Sequence, residues 1–156
     1  MSWKETTDEL LELTYKTIST DISYRAKKTV INSMLRLTSN IISSEDENIG
    51  QCSRRSRYGC KRWSEEAYKF YNSLRENGMT HKQACYGKRN GRSAYINEHQ
   101  YPLAIAKKGL LKNEWSLEQL KDFMYNYGSY TVITKEEDLR LKPAHSISEG
   151  HNRYKD

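Results

Sequence analysis

Apolar residues recur at helical spacing in four stretches of the chain, and each stretch has its own start signal. Thr6-Thr7-Asp8-Glu9 reads as a capping box opening a first helix, with Leu11, Tyr15, Ile18 and Ile22 on one stripe. A second stripe runs through Ala26, Val30, Met34, Leu37 and Ile41. In the third, Ser64 caps, Glu65 and Glu66 face the positive end of the helix dipole, and Trp63 is placed to staple onto Tyr68. Ala67, Phe70, Tyr71 and Leu74 form its buried face, and Asn77-Gly78 ends it. The fourth is capped by Ser116 with Gln119, buries Leu117, Leu120, Phe123, Met124 and Tyr127, and closes at Gly128.

Between these stretches the period changes. Asn90-Gly91 marks a tight turn leading into an extended run from Ser93 to Asn97. After Pro102, residues 103–108 form a short helix that Gly109 ends. Tyr130 to Ile133 is β-prone, and Thr134-Lys135-Glu136-Glu137 is a capping box for a helix that Pro143 stops. The tail through His145, His151 and Arg153-Tyr154 has no clear periodicity.

These patterns predict an α+β fold: a helix-rich single domain with a small β-hairpin or ββα-like unit in its C-terminal half. Residues 1–45 read as a helical hairpin that either completes the core or makes a homodimer, and residues 46–156 carry a basic segment and the ββα region. Only 36% of residues are hydrophobic while 12 are tyrosine, so the core is expected to be tyrosine-rich. No apolar run reaches membrane-spanning length and no signal-peptide pattern is present, which predicts a cytoplasmic protein. Cys52, Cys60 and Cys85 contain no C-x-x-C pair and suit neither a disulfide framework nor a four-cysteine zinc site; a Cys52–Cys60 bridge stays open.

Charge changes the picture. Residues 51–113 hold 14 basic and 4 acidic residues, against 6 and 8 in residues 1–50 and again in residues 114–156. A concentrated positive field attracts a polyanion. Arg54, Arg55, Arg57, Lys61 and Arg62, interleaved with Tyr58, and then Lys88, Arg89 and Arg92 at the predicted turn, are the expected contacts to a nucleic-acid backbone.

Inside that segment, Glu98-His99 stands at the end of the first extended run, with Pro102 beyond it. A histidine suits a general base near neutral pH, and carboxylates suit a hydrated divalent cation. Adjacent strand residues point to opposite sides, so the pair can share one site only if the chain turns there.

The stretch Glu98-His99-Gln100-Tyr101-Pro102, followed by the strand and helix of Tyr130 to Leu141, resembles the HNH, or ββα-metal, nucleases. The resemblance covers the last two-fifths of the chain. It implies His99 as general base, Glu98 as a metal ligand, and a second ligand from the final helix, Asp138 with Glu137 as the competitor. It also implies Mg²⁺ or another divalent cation. This chain differs from compact members in a longer insertion between the strands and in Asp138 where His or Asn is more usual. The expected function is a divalent-metal-dependent endonuclease acting on duplex DNA, with RNA as an open alternative. The rivals are a non-catalytic nucleic-acid-binding protein and a small protein-interaction regulator or inhibitor from a mobile element.

Overall fold

A computed structural model describes residues 2–44 and 56–154. The chain is an α+β, helix-rich single domain, as the patterning predicts. Helix α1 (Trp3–Lys16), a 3₁₀ turn (Thr17–Ser19) and α2 (Tyr24–Ser43) form an N-terminal helical hairpin. Helices α3 (Glu65–Glu76) and α4 (His81–Cys85) precede a two-stranded ribbon, β1 (Lys88–Arg89) with β2 (Arg92–Ser93). Strand β3 (Tyr95–Glu98) follows, and then α5 (Ala104–Leu111), α6 (Leu117–Tyr127), β4 (Thr131–Thr134), α7 (Lys135–Arg140) and α8 (Ile147–Asn152).

Two clusters make the interior. Leu11, Ile31, Leu35, Leu110, Leu120 and Met124 join α1, α2, α5 and α6 into an aliphatic core. Cys60, Ala67, Tyr95, Tyr130 and Val132 form a second core that packs α3 against the β3–β4 pair, with Trp63 and Phe70 over it. Leu11 of α1 and Ile31 and Leu35 of α2 lie in the same core as α5 and α6, so one face of each helix of the N-terminal hairpin is buried within the chain.

Several boundaries move from their expected places. Helix α1 starts four residues early, because Ser2 and Glu5 form a capping box of the same kind as Thr6 and Glu9. The buried line of α2 is Ile31, Leu35, Thr38 and Ile41; Val30 remains 38% exposed. Trp63 packs on Tyr71 and Tyr95, with ring centroids 5.5 and 5.3 Å away, and leaves Tyr68 in solvent. Gly109, expected to end α5, lies within it. A Cβ there would sit 2.5 Å from Trp115 Nε1, so the missing side chain lets the indole cover the helix. Gly109→Ala is expected to destabilise the protein by about 1–3 kcal/mol through overpacking, read as a lower urea midpoint at unchanged slope.

The Asn90-Gly91 turn is as predicted, with φ of 54° and 74° in the left-handed region a type I′ hairpin requires. β3 and β4 pair antiparallel, Tyr95 opposite Thr134 and Glu98 opposite Thr131. The chain at Arg62–Ser64 covers the other edge of β4, with Val132 N–H donating to Arg62 O and Ser64 N–H to Val132 O. Helix α7 starts directly from β4 and doubles back over the strands, anchored where Lys135 N–H meets Ala94 O at 3.1 Å. The order β3, insertion, β4, α7 is thus a ββα unit with α5 and α6 between its strands. Among the described residues no helix is long and apolar enough to cross a membrane.

Candidate functional site

Glu98 is the last residue of β3, and α7 folds back toward it. Thr134 caps α7 by accepting from Glu137 N–H at 3.1 Å. Glu137 Oε2 is used three times within the fold, accepting from Thr134 N–H (2.8 Å), Thr134 Oγ1 (3.3 Å) and Ser64 Oγ (2.6 Å). Those bonds tie α3 to α7 and occupy Glu137 as a cap.

Asp138 on α7 lies close enough to Glu98 for its charge to act on the Glu98 carboxyl. Glu98 is only 6% exposed. Burial lifts its pKa to about 7, Arg153 opposes the rise, and the Asp138 charge adds to it. Near neutral pH the Glu98 carboxyl is therefore poised between its protonated and ionised forms.

Arg153 was not recognised in the sequence as part of this site. It arrives from the tail, where α8 packs on Tyr101, whose hydroxyl is 2.7 Å from His151 Nδ1, and Gln100 donates to Gly150 O at 3.1 Å. Arg153 Nη1 donates to the His99 carbonyl at 2.8 Å and lies 2.5 Å from Glu98 Oε1. The second contact is an ion pair, and among the described residues the buried Arg153 Nε has no hydrogen-bond partner. Ser146 caps α8 by accepting from Glu149 N–H, a Ser-x-x-Glu signal that was legible in the chain.

The histidine corrects the expected constellation. His99 Nε2 is 2.7 Å from Ser39 Oγ, and Ser39 donates its own proton to Gly128 O at 2.5 Å. Ser39 therefore accepts from Nε2–H, which leaves the basic lone pair on Nδ1. The ring meets Tyr130 edge-on at 5.6 Å. Burial, followed by the charges of Arg36 and Arg153, depresses its pKa to about 4. Strand alternation explains the outcome: Glu98 and His99 are adjacent, and the chain does not turn enough to bring both to α7. Glu98 and Asp138 converge, whereas His99 is held against α2.

The basic residues divide in the same way. Arg57 turns inward: its Nε donates to Asn97 Oδ1 at 2.6 Å, its Nη2 to Tyr95 O at 3.2 Å, and it lies over the Tyr86 and Tyr95 rings. It is a pin for β3, withdrawn from the expected phosphate contacts. Arg54 and Arg55 lie outside the described residues, as does Cys52. Lys61, Arg62, Lys88 and Arg92 are exposed. Arg89 donates to Glu136 at 3.0 Å and covers the Phe70 ring, fastening the β1–β2 ribbon to the start of α7. A shallow depression between ribbon and helix is lined by Arg89, Arg92, Ser93, Lys135 and Glu136.

The residues fit a divalent cation of the magnesium type. Such an ion binds through one or two carboxylates and keeps its remaining waters, and here two carboxyls lie side by side, with Glu98 Oε1 held by Arg153. Among the described residues no group of three or more His, Cys, Asp or Glu gathers. No family model matches this chain, and neither a curated protein nor a solved structure matches it.

Proposed function

We propose that this protein is a divalent-metal-dependent nuclease acting on DNA, with the β3–β4–α7 unit as its catalytic core. The observation that carries the reading is the meeting of Glu98 and Asp138, one from the end of a strand and one from the helix that doubles back over it. A bound divalent ion would supply an activated water and neutralise charge on the scissile phosphate. Glu98 and Asp138 would hold it, with Glu98 in its ionised form. Arg153 sits 2.5 Å from Glu98 with an unpaired Nε, placed to move onto a phosphate oxygen once Glu98 has another cation to bind. Lys88 and Arg92 on the ribbon, with Lys61 and Arg62, would position the backbone by charge. Cytoplasmic action is part of the proposal; Cys85, buried and pushed up to about 11, is a thiol that suits a reducing compartment.

The contact of His99 with Ser39 favours a second reading, in which the same surface binds nucleic acid without cutting it. Supercoiled-plasmid nicking with Mg²⁺, Mn²⁺ and EDTA separates the two. The nuclease reading expects nicking with either metal and none with EDTA. Salt-sensitive plasmid binding with no nicking under any metal gives the site to the binding protein.

A further inference from the structure

Away from the carboxylate pair, the N-terminal half of α2 faces α5 across a groove of about 190 Å³. Its walls are helical pairs one turn apart. Tyr24 and Lys28 come from α2, Lys107 and Leu111 from one line of α5, and Lys108 and Lys112 from the next. Neither helix contains an Asp or Glu. None of the four lysines forms an ion pair among the described residues.

The placement of these charges is not what helix stability alone selects. Lys107, Lys108 and Lys112 suit the negative end of α5, but Lys28 lies near the positive end of α2, where a cation is unfavourable. Its neighbour Lys27 is compensated by the Ile18 carbonyl at 2.8 Å; among the described residues Lys28 forms no such bond. Tyr24 is 63% exposed at the mouth of the groove, an aromatic ring that no ring contact among the described residues covers. Mutually repelling cations around an open groove, with a bare ring beside them, are complementary to a chain of phosphates carrying stackable bases.

We infer that the α2–α5 groove binds a single strand of nucleic acid, its phosphates on Lys28, Lys107, Lys108 and Lys112 and a base on Tyr24. The inference rests on the nucleic-acid reading above and adds a surface to it: the ribbon and α7 hold the cleavable segment, and the groove holds a strand that has left the duplex.

The test uses the full chain with a fluorescent oligothymidylate and a duplex of equal length. In the variant carrying Lys28→Gln, Lys107→Gln, Lys108→Gln and Lys112→Gln, the log–log salt dependence of oligothymidylate binding should flatten by about 0.7 unit per lost phosphate contact. Tyr24→Ala should weaken binding about 5- to 100-fold, the range for loss of one stacked base. All five positions are outside the buried core, so melting temperatures serve as the folding control. A Lys69→Gln variant on α3, outside both surfaces, should leave the oligothymidylate slope in place. If the lysine variant keeps the parent's slope and affinity, the groove assignment is overturned while the nuclease reading stands. If the parent binds neither oligonucleotide, or binds anionic phospholipid vesicles in their place, the groove assignment and the reading beneath it both fall.

Discussion

Asp138→Asn is expected to lower metal-dependent cleavage more than about 100-fold at a metal concentration that half-saturates the parent. The substitution keeps size and hydrogen-bonding capacity while removing one of two anionic oxygen donors. Outer-shell partners of a metal already cost about 10- to 100-fold when lost, and a direct ligand should exceed them. Activity should return in part at high metal concentration, since Glu98 remains. Glu137→Gln is the matched control. It has the same net charge change one residue away, but Glu137 is committed to Thr134 and Ser64. That variant should lose about 1 kcal/mol of stability through its weakened cap and keep the parent's metal dependence. Nicking rates titrated against Mg²⁺, beside urea midpoints, read both quantities. Equal metal dependence in the two variants would remove Asp138 from the site.

The second large effect is on the pH dependence of folding. Glu98 has a folded pKa raised from 4.5 to about 7, so it binds a proton in the native state that the unfolded chain releases. Its contribution is present below pH 4.5 and is lost as pH rises through 7. His99 has the opposite sign: its folded pKa falls from 6.5 to about 4, so its contribution is present above 6.5 and is lost as pH falls through 4. Between pH 4.5 and 6.5 the two slopes cancel, and the parent should be nearly flat with respect to this pair. Glu98→Gln removes one slope. Its stability should then rise by roughly 3 kcal/mol over that interval, at about 1.4 kcal/mol per pH unit. Arg153 loses its counter-charge in this variant, but it stays protonated in both states, so that cost shifts the curve without tilting it. Urea unfolding at pH 4.5 and 6.5 decides the matter; parallel profiles for parent and variant would falsify the buried-carboxyl account.

Much of the framework could be read from local chemistry. Ser64, Ser116 and Thr134 each cap the helix they were expected to cap, because a hydroxyl three residues before a receptive N–H needs no tertiary context. Asn90-Gly91 was legible for the same reason: few residues take two consecutive left-handed conformations. What depended on packing was less legible. Gly109 reads as a helix stop until the Trp115 indole is known to lie on it. His99 and Glu98 are neighbours in sequence, and only the exit path of β3 decides that one meets α7 and the other Ser39. Arg57 reads as a phosphate contact in a basic run, and its use in holding Asn97 comes from a distant strand. Arg153 followed a stretch without hydrophobic period, and its Ser146-x-x-Glu149 signal fixes a helix start without saying where that helix docks.

The insertion of α5 and α6 between β3 and β4 has a kinetic consequence. A tight hairpin zips from its turn, but residues 99–130 separate these strands and themselves belong to the aliphatic core. Closing that loop early costs entropy with no ladder yet formed to offset it. Once α5 and α6 have docked on α1 and α2, the ends of β3 and β4 are brought close and the closure cost has been met by the helices. The carboxylate pair should therefore be assembled after the folding transition state, with low φ-values at Glu98 and Asp138 and high ones at Leu110 and Leu120. Substitutions at the site would then change how fast the protein unfolds and leave its folding rate nearly untouched.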